Sequence, residues 1–67
     1  MDINEAVRIG QYVIVELKDE KSTQHSGRVL NVTENMIKIK SDAGRFPTFT
    51  KEEINCVMDD TASILWD

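Results

Sequence analysis

His25, in Gln24-His25-Ser26, and Cys56 are the only histidine and the only cysteine of the chain. Between them they exhaust its soft metal ligands and its imidazole chemistry. A structural zinc site needs four such ligands at short characteristic spacings, so two residues far apart in sequence do not make one. His25 lies in a polar stretch and has no acid or nucleophile paired with it by motif. No catalytic residue, metal, cofactor or small-molecule substrate is therefore expected. Cys56 reads as a core residue, since unpaired cysteine is among the most buried residue types. Lys18, Lys38, Lys40 and Lys51 could form a phosphate-binding face. A solvated strand surface explains them as well, because lysine commonly guards exposed sheet edges. Tyr12 and Trp66 are the two polar-tipped aromatics. Trp66 either docks into a partner, as interface tryptophans do, or folds back onto its own domain.

The elements that must position these side chains belong to a single domain of 67 residues. A chain this short buries only about 60% of its unfolded surface and usually needs a staple. One cysteine excludes an internal disulfide, which leaves oligomerisation. With 12 Asp and Glu against 8 Lys and Arg the net charge is −4. That lowers the expectation of duplex binding by charge alone, which favours basic surfaces. The acidic start, Met1-Asp2-Ile3-Asn4-Glu5, lacks the basic and apolar runs of a signal peptide. The longest purely apolar run is Val13-Ile14-Val15, too short to cross a membrane. A reducing cytoplasm is the expected compartment.

Ile3, Ala6 and Val7 follow helical spacing, so a short helix is expected over residues 2 to 9, capped by Asp2 or Asn4 and ended by Gly10. Val13, Val15 and Leu17 alternate against Tyr12, Ile14 and Glu16, the period of a strand. Residues 19 to 26 are polar and read as a hairpin loop, into which the strand ends could extend. From Gly27 a second strand carries Val29, Leu30 and Val32, whose broken alternation implies a bulge or sharp bend. Gly27 would ease close backbone approach. Glu34-Asn35 is a tight turn, and Met36 to Lys40 a third strand with Ile37 and Ile39 inward. Arg45 to Thr50 is a fourth strand whose Pro47 places it at an edge or bulge. Thr50-Lys51-Glu52-Glu53 fits a capping box, hence one helical turn. Ile54, Cys56 and Met58 share one face of a fifth strand. Residues 59 to 62 are polar and expected to be flexible, before the apolar Ile64-Leu65-Trp66. The expected fold is mostly β: a small, strongly bent five-stranded barrel over residues 11 to 58, with a short N-terminal helix and a tail over residues 59 to 67.

The pattern Val13, Val15, Leu17, Lys18, Asp19, then Gly27, Val29, Val32, then Ile37 and Ile39 resembles the first motif of Sm-like proteins, the family that includes Hfq. The resemblance covers residues 2 to 58 and implies an SH3-like barrel. Phe49-Thr50-Lys51-Glu52-Glu53-Ile54 is also similar to the end of the C-terminal domain of ribosome maturation factors, which share that barrel. The Sm-like resemblance implies a homo-oligomeric ring of five to seven subunits. In such rings the fourth strand of one copy pairs with the fifth of the next, so Phe46, Phe49, Ile54, Cys56 and Met58 are the expected interface. It also implies single-stranded RNA as partner, with Asn35, Met36 and Lys51 as the binding residues. The match is incomplete at that site. Thr33-Glu34-Asn35-Met36 lacks the stacking aromatic and is one residue short, and Glu52 and Glu53 follow Lys51 where the family has basic residues. The alternative is a protein-interaction module of the same fold without nucleic-acid binding.

Overall fold

A computed structural model describes all 67 residues. A one-turn helix, α1 (Ile3–Ala6), precedes six strands: β1 (Tyr12–Leu17), β2 (Gln24–Val32), β3 (Met36–Ser41), β4 (Thr48–Thr50), β5 (Ile54–Met58) and β6 (Ile64–Trp66). They form one antiparallel sheet in the order β4-β3-β2-β1-β5-β6. The sheet is bent but not closed, and it has six strands where five were expected.

The core follows from the alternation. Val13 and Val15 of β1, Val29 of β2, Ile37 and Ile39 of β3, Phe49 of β4 and Ile54 and Val57 of β5 meet on the inner face, and Ile3 and Val7 cover one end. Each such side chain, taken out of water, contributes roughly 1.5–3 kcal/mol. β-Branched residues dominate because they suit a pleated, half-buried surface.

Three one-residue irregularities bend the sheet. Leu30 is the extra residue between the pairs Val29–Ile39 and Asn31–Lys38, at the break in alternation of β2. Asn55 is extra between Leu17–Ile54 and Glu16–Cys56. Leu65 is extra between Val57–Trp66 and Met58–Ile64. Such bulges add twist and redirect side chains. The one at Asn55 corrects the expected face of β5. Ile54 and Val57 point inward, whereas Cys56 and Met58 are buried outside the central cluster. At Gly27 the backbones of β2 and β3 approach so closely that a Cβ would lie 2.1 Å from the Lys40 carbonyl oxygen.

Other boundaries also move. The helix ends at Ala6, and its first turn is held by the Asp2 N–H donating to Glu5 Oε1 at 3.0 Å. Gly10 instead takes φ 89° in a separate turn, closed by Gln11 N–H donating to the Arg8 carbonyl at 3.2 Å. That φ is the one a type II turn demands at its third residue. β2 begins at Gln24, because Gln24, His25 and Ser26 pair with Glu16, Val15 and Ile14; only residues 18 to 23 form the loop. β4 is confined to Thr48–Thr50, although Arg45 and Pro47 still accept hydrogen bonds from Ser41 and Ile39 of β3. Half of the capping box at Thr50–Glu53 forms: Thr50 N–H donates to Glu53 Oε1 at 3.1 Å, while Glu53 N–H donates to the Thr50 carbonyl instead of its hydroxyl, and one tight turn follows.

The tail is ordered, contrary to the flexible segment expected. The Asp59 Oδ1 accepts from the Thr61 N–H, the Thr61 hydroxyl and the Ser63 N–H at 2.9, 2.7 and 2.9 Å, which shapes the hairpin between β5 and β6. Leu65 and Trp66 then pack on the core, and the Trp66 indole N–H donates to the Met1 carbonyl at 2.8 Å. Trp66 therefore folds back on its own domain.

Gly27→Ala should cost at least about 2 kcal/mol, the range of changes that strain a packed backbone. A urea unfolding midpoint lowered by less than the equivalent of about 0.5 kcal/mol would contradict the close approach of β2 and β3.

Candidate functional site

The sheet has two margins, and they differ. At one end β6 is added outside β5, pairing at Val57 and Met58, and is itself the edge strand. At the β4 margin nothing follows. The parity of the β3–β4 ladder tells which groups face outward. Ile39 N–H donates to the Pro47 carbonyl at 3.1 Å, Ser41 N–H to Arg45 at 2.8 Å, and Lys51 N–H to Asn35 at 2.8 Å. In an antiparallel pair the hydrogen-bonded positions alternate. Positions 45, 47, 49 and 51 thus turn their backbone groups to β3, and 46, 48 and 50 turn theirs away. Thr50 is tied back, since its N–H donates to the Glu53 carboxylate and its carbonyl accepts from the Glu53 N–H. The N–H and C=O of Phe46 and Thr48 are left as the unpaired edge. Phe46 adds an apolar side chain that is 56% exposed.

Beside this edge, on the inner side, lies an open cleft of about 430 Å³. His25 and Ser26 of β2, Ser41 of β3 and the connection carrying Asp42, Arg45 and Pro47 line it. β2 brings His25 there because its side chain shares the inward parity of Val15, its partner. The imidazole packs against Phe49, ring centroids 5.0 Å apart. Asp42 is held at the rim by the Tyr12 hydroxyl, which donates to its Oδ2 at 2.5 Å. That hydrogen bond to Asp42 is the chief reason the Tyr12 phenol is raised above its ordinary value, with burial second. Arg28 sits over the Tyr12 ring at 5.8 Å and donates to the Gly10 carbonyl at 3.1 Å.

Asn35, Met36 and Lys51 come together at the opposite end of β3 and β4. Met36 pairs with Thr50, and the Lys51 N–H binds the Asn35 carbonyl. Glu34, Glu52 and Glu53 are exposed alongside them. Of the expected interface residues, Phe49, Ile54, Cys56 and Met58 are buried within the chain, and Phe46 alone presents its side chain to solvent. Lys38 and Lys40 lie on the outer face of β3 near Arg28, its partner in register being Lys40. Lys18 stands in a different region, where its N–H donates to the Glu53 carbonyl. The four lysines form no single patch. The Cys56 thiol is pushed up by burial first and then by Glu16, whose Oε2 it faces at 3.6 Å, so it is a poor nucleophile at neutral pH.

Sequence reasoning missed Thr48, Ser41, Asp42 and Arg45. Pro47 was the available signal for the margin, but no residue type announces which of two alternating positions faces out. No helix is long and apolar enough to cross a membrane. No family model matches the chain, and neither the curated proteins nor the solved structures yield a match.

Four carboxyls are held below their ordinary values by hydrogen bonds: Glu16 by Asn55 and Gln24, Asp19 by Thr23, Glu53 by Thr50 and Asp59 by Thr61 and Ser63. A depressed folded-state value means stability that is fully present above the unfolded value and lost as pH falls through the folded one. The urea midpoint should therefore hold steady above about pH 5 and decline toward pH 3, given unfolded carboxyl values near 4. Asp59→Asn should show a shallower decline between those limits. An unchanged pH profile in that variant would contradict the role of the Asp59 carboxylate in the tail hairpin.

Proposed function

We propose that this bent sheet is a variant of the small SH3-like barrel in which an added last strand covers β5. It acts in a reducing cytoplasm, without catalysis, as a protein-interaction module. Its partner is an extended segment of another polypeptide, which adds to β4 as a further strand. One observation carries the reading: at the β4 margin the donors and acceptors of Phe46 and Thr48 face away from β3 with no partner in the chain. An exposed row of this kind is a template for strand addition, where main-chain hydrogen bonds supply affinity. The chain's accessible surface, 4276 Å², is close to the roughly 4,300 Å² that a compact monomer of this mass has. The domain is thus compact before any partner arrives.

Peptides selected against the protein from a random display library should slow hydrogen exchange at the Phe46 and Thr48 amides. Thr48→Pro removes an outward donor and leaves the β3 ladder intact. It should weaken those peptides about tenfold, the worth of about one hydrogen bond. Thr48→Ala, which keeps the N–H, should bind them normally. Selected peptides indifferent to Thr48→Pro would remove the reading.

A second reading, a homo-oligomeric Sm-like ring that binds single-stranded RNA, is favoured by the gathering of Asn35, Met36 and Lys51 at one end of the sheet. Against it stand the three neighbouring glutamates and β6, which occupies part of the margin a neighbour's β4 would need. Native mass spectrometry should then give a particle of five to seven subunits, retarding U-rich or A-rich oligomers at low salt. A monomer at micromolar concentration that retards neither oligomer would end it.

A further inference from the structure

We infer that the cleft beside β4 reads an acidic side chain of the incoming segment, the one lying opposite Pro47. This rests on the strand-addition reading and specifies the partner. The geometry sets the position. An antiparallel strand hydrogen-bonded to Phe46 and Thr48 has its intervening residue opposite Pro47, in a non-hydrogen-bonded pair. Side chains of such a pair approach most closely and lie on the same face. Pro47 faces inward and lines the cleft, so the partner's side chain enters it.

The chemistry follows from which groups are already engaged. The Asp42 carboxylate accepts from Tyr12 through Oδ2, and its Oδ1 stays free at the rim. The Ser41 Oγ accepts from the Arg45 N–H at 3.1 Å, which leaves its own O–H to donate. The side chain of Gln24 turns away, donating to Glu16 at 3.2 Å. The Arg45 guanidinium and the His25 ring nitrogens have no hydrogen-bond partner within the chain, and His25 is steadied by Phe49. Beside the Asp42 Oδ1 and one His25 nitrogen, the free groups include the Ser41 O–H and the Arg45 guanidinium, a permanent cation in a fork that matches a carboxylate. A glutamate side chain has the length to reach Arg45 from a backbone beside Pro47. An apolar side chain would leave the Arg45 fork unpaired.

The test titrates the full chain with N-acetyl-glutamate N-methylamide, N-acetyl-glutamine N-methylamide and N-acetylglycine, reading amide shifts by nuclear magnetic resonance. The blocked glutamate should give saturable shifts at residues 24 to 26 and 41 to 45 in the millimolar range. The glutamine analogue and N-acetylglycine should each bind at least tenfold more weakly. Arg45→Gln, an exposed position, should weaken the glutamate probe at least tenfold. Thr48→Pro should leave it unchanged, which separates failure of the cleft from failure of strand addition. Equal binding of the glutamine analogue, indifference to Arg45→Gln, or no saturable shift would overturn the inference. Equal binding of N-acetylglycine would also overturn it, by assigning the cleft to a chain terminus. Concentration-dependent shifts of the same amides without any probe would do so too, by making a second copy the occupant.

Discussion

The curl of the sheet is the constraint on which everything else depends. A four-residue helix cannot supply a second layer, and every apolar face must be buried against something. The sheet therefore has to be its own opposite wall. Strands of three to nine residues reach across the interior only if they bend. The extra residues Leu30, Asn55 and Leu65 provide the bends, and Gly27 lets β2 lie against the Lys40 carbonyl where a side chain would hold the strands apart. The same curl carries His25 of β2 toward Phe49 of β4, two strands away in the sheet order. The cleft is thus a consequence of curvature.

The alternation of β1 and β3, the break at Leu30, the close approach at Gly27 and the capped turn at Thr50–Glu53 were all legible in the sequence, because each is a local pattern with a local cause. What escaped is what depends on distant partners. That strand ends could extend into the polar stretch was legible, but how far was not: Gln24, His25 and Ser26 become strand because β1 offers them a ladder. The bulge at Asn55 is set by pairing with Leu17 and Glu16, so the shift of Cys56 and Met58 off the inner face leaves no trace in residue type. The tail reads as polar and loose until Asp59 is seen to gather Thr61 and Ser63, and Trp66 to find the Met1 carbonyl. A small amphipathic strand and a docking tail look alike in sequence.

Adding β6 outside β5 does more than widen the sheet. It places Leu65 and Trp66 over the end of the core near α1, supplying buried apolar area that a chain of this size otherwise lacks. The staple expected from a neighbouring copy is in part supplied from within. That weakens the argument that small size alone requires a ring.

The placement of Pro47 bears on what the β4 margin is for. Proline blunts an edge when it replaces an outward-facing residue, because the exposed donor disappears. At position 46 or 48 it would have done so. At 47 it faces β3 instead, where its missing N–H leaves the Ile39 carbonyl without the reciprocal bond of the pair, while both outward donors stay intact. Glu53 meanwhile closes off Thr50. The combination weakens the inner ladder slightly and limits the exposed edge to two residues rather than abolishing it. Two residues are too few to template extended aggregation, yet enough to fix the register of one short segment. Register is what a cleft beside the strand needs if it is to read a single side chain.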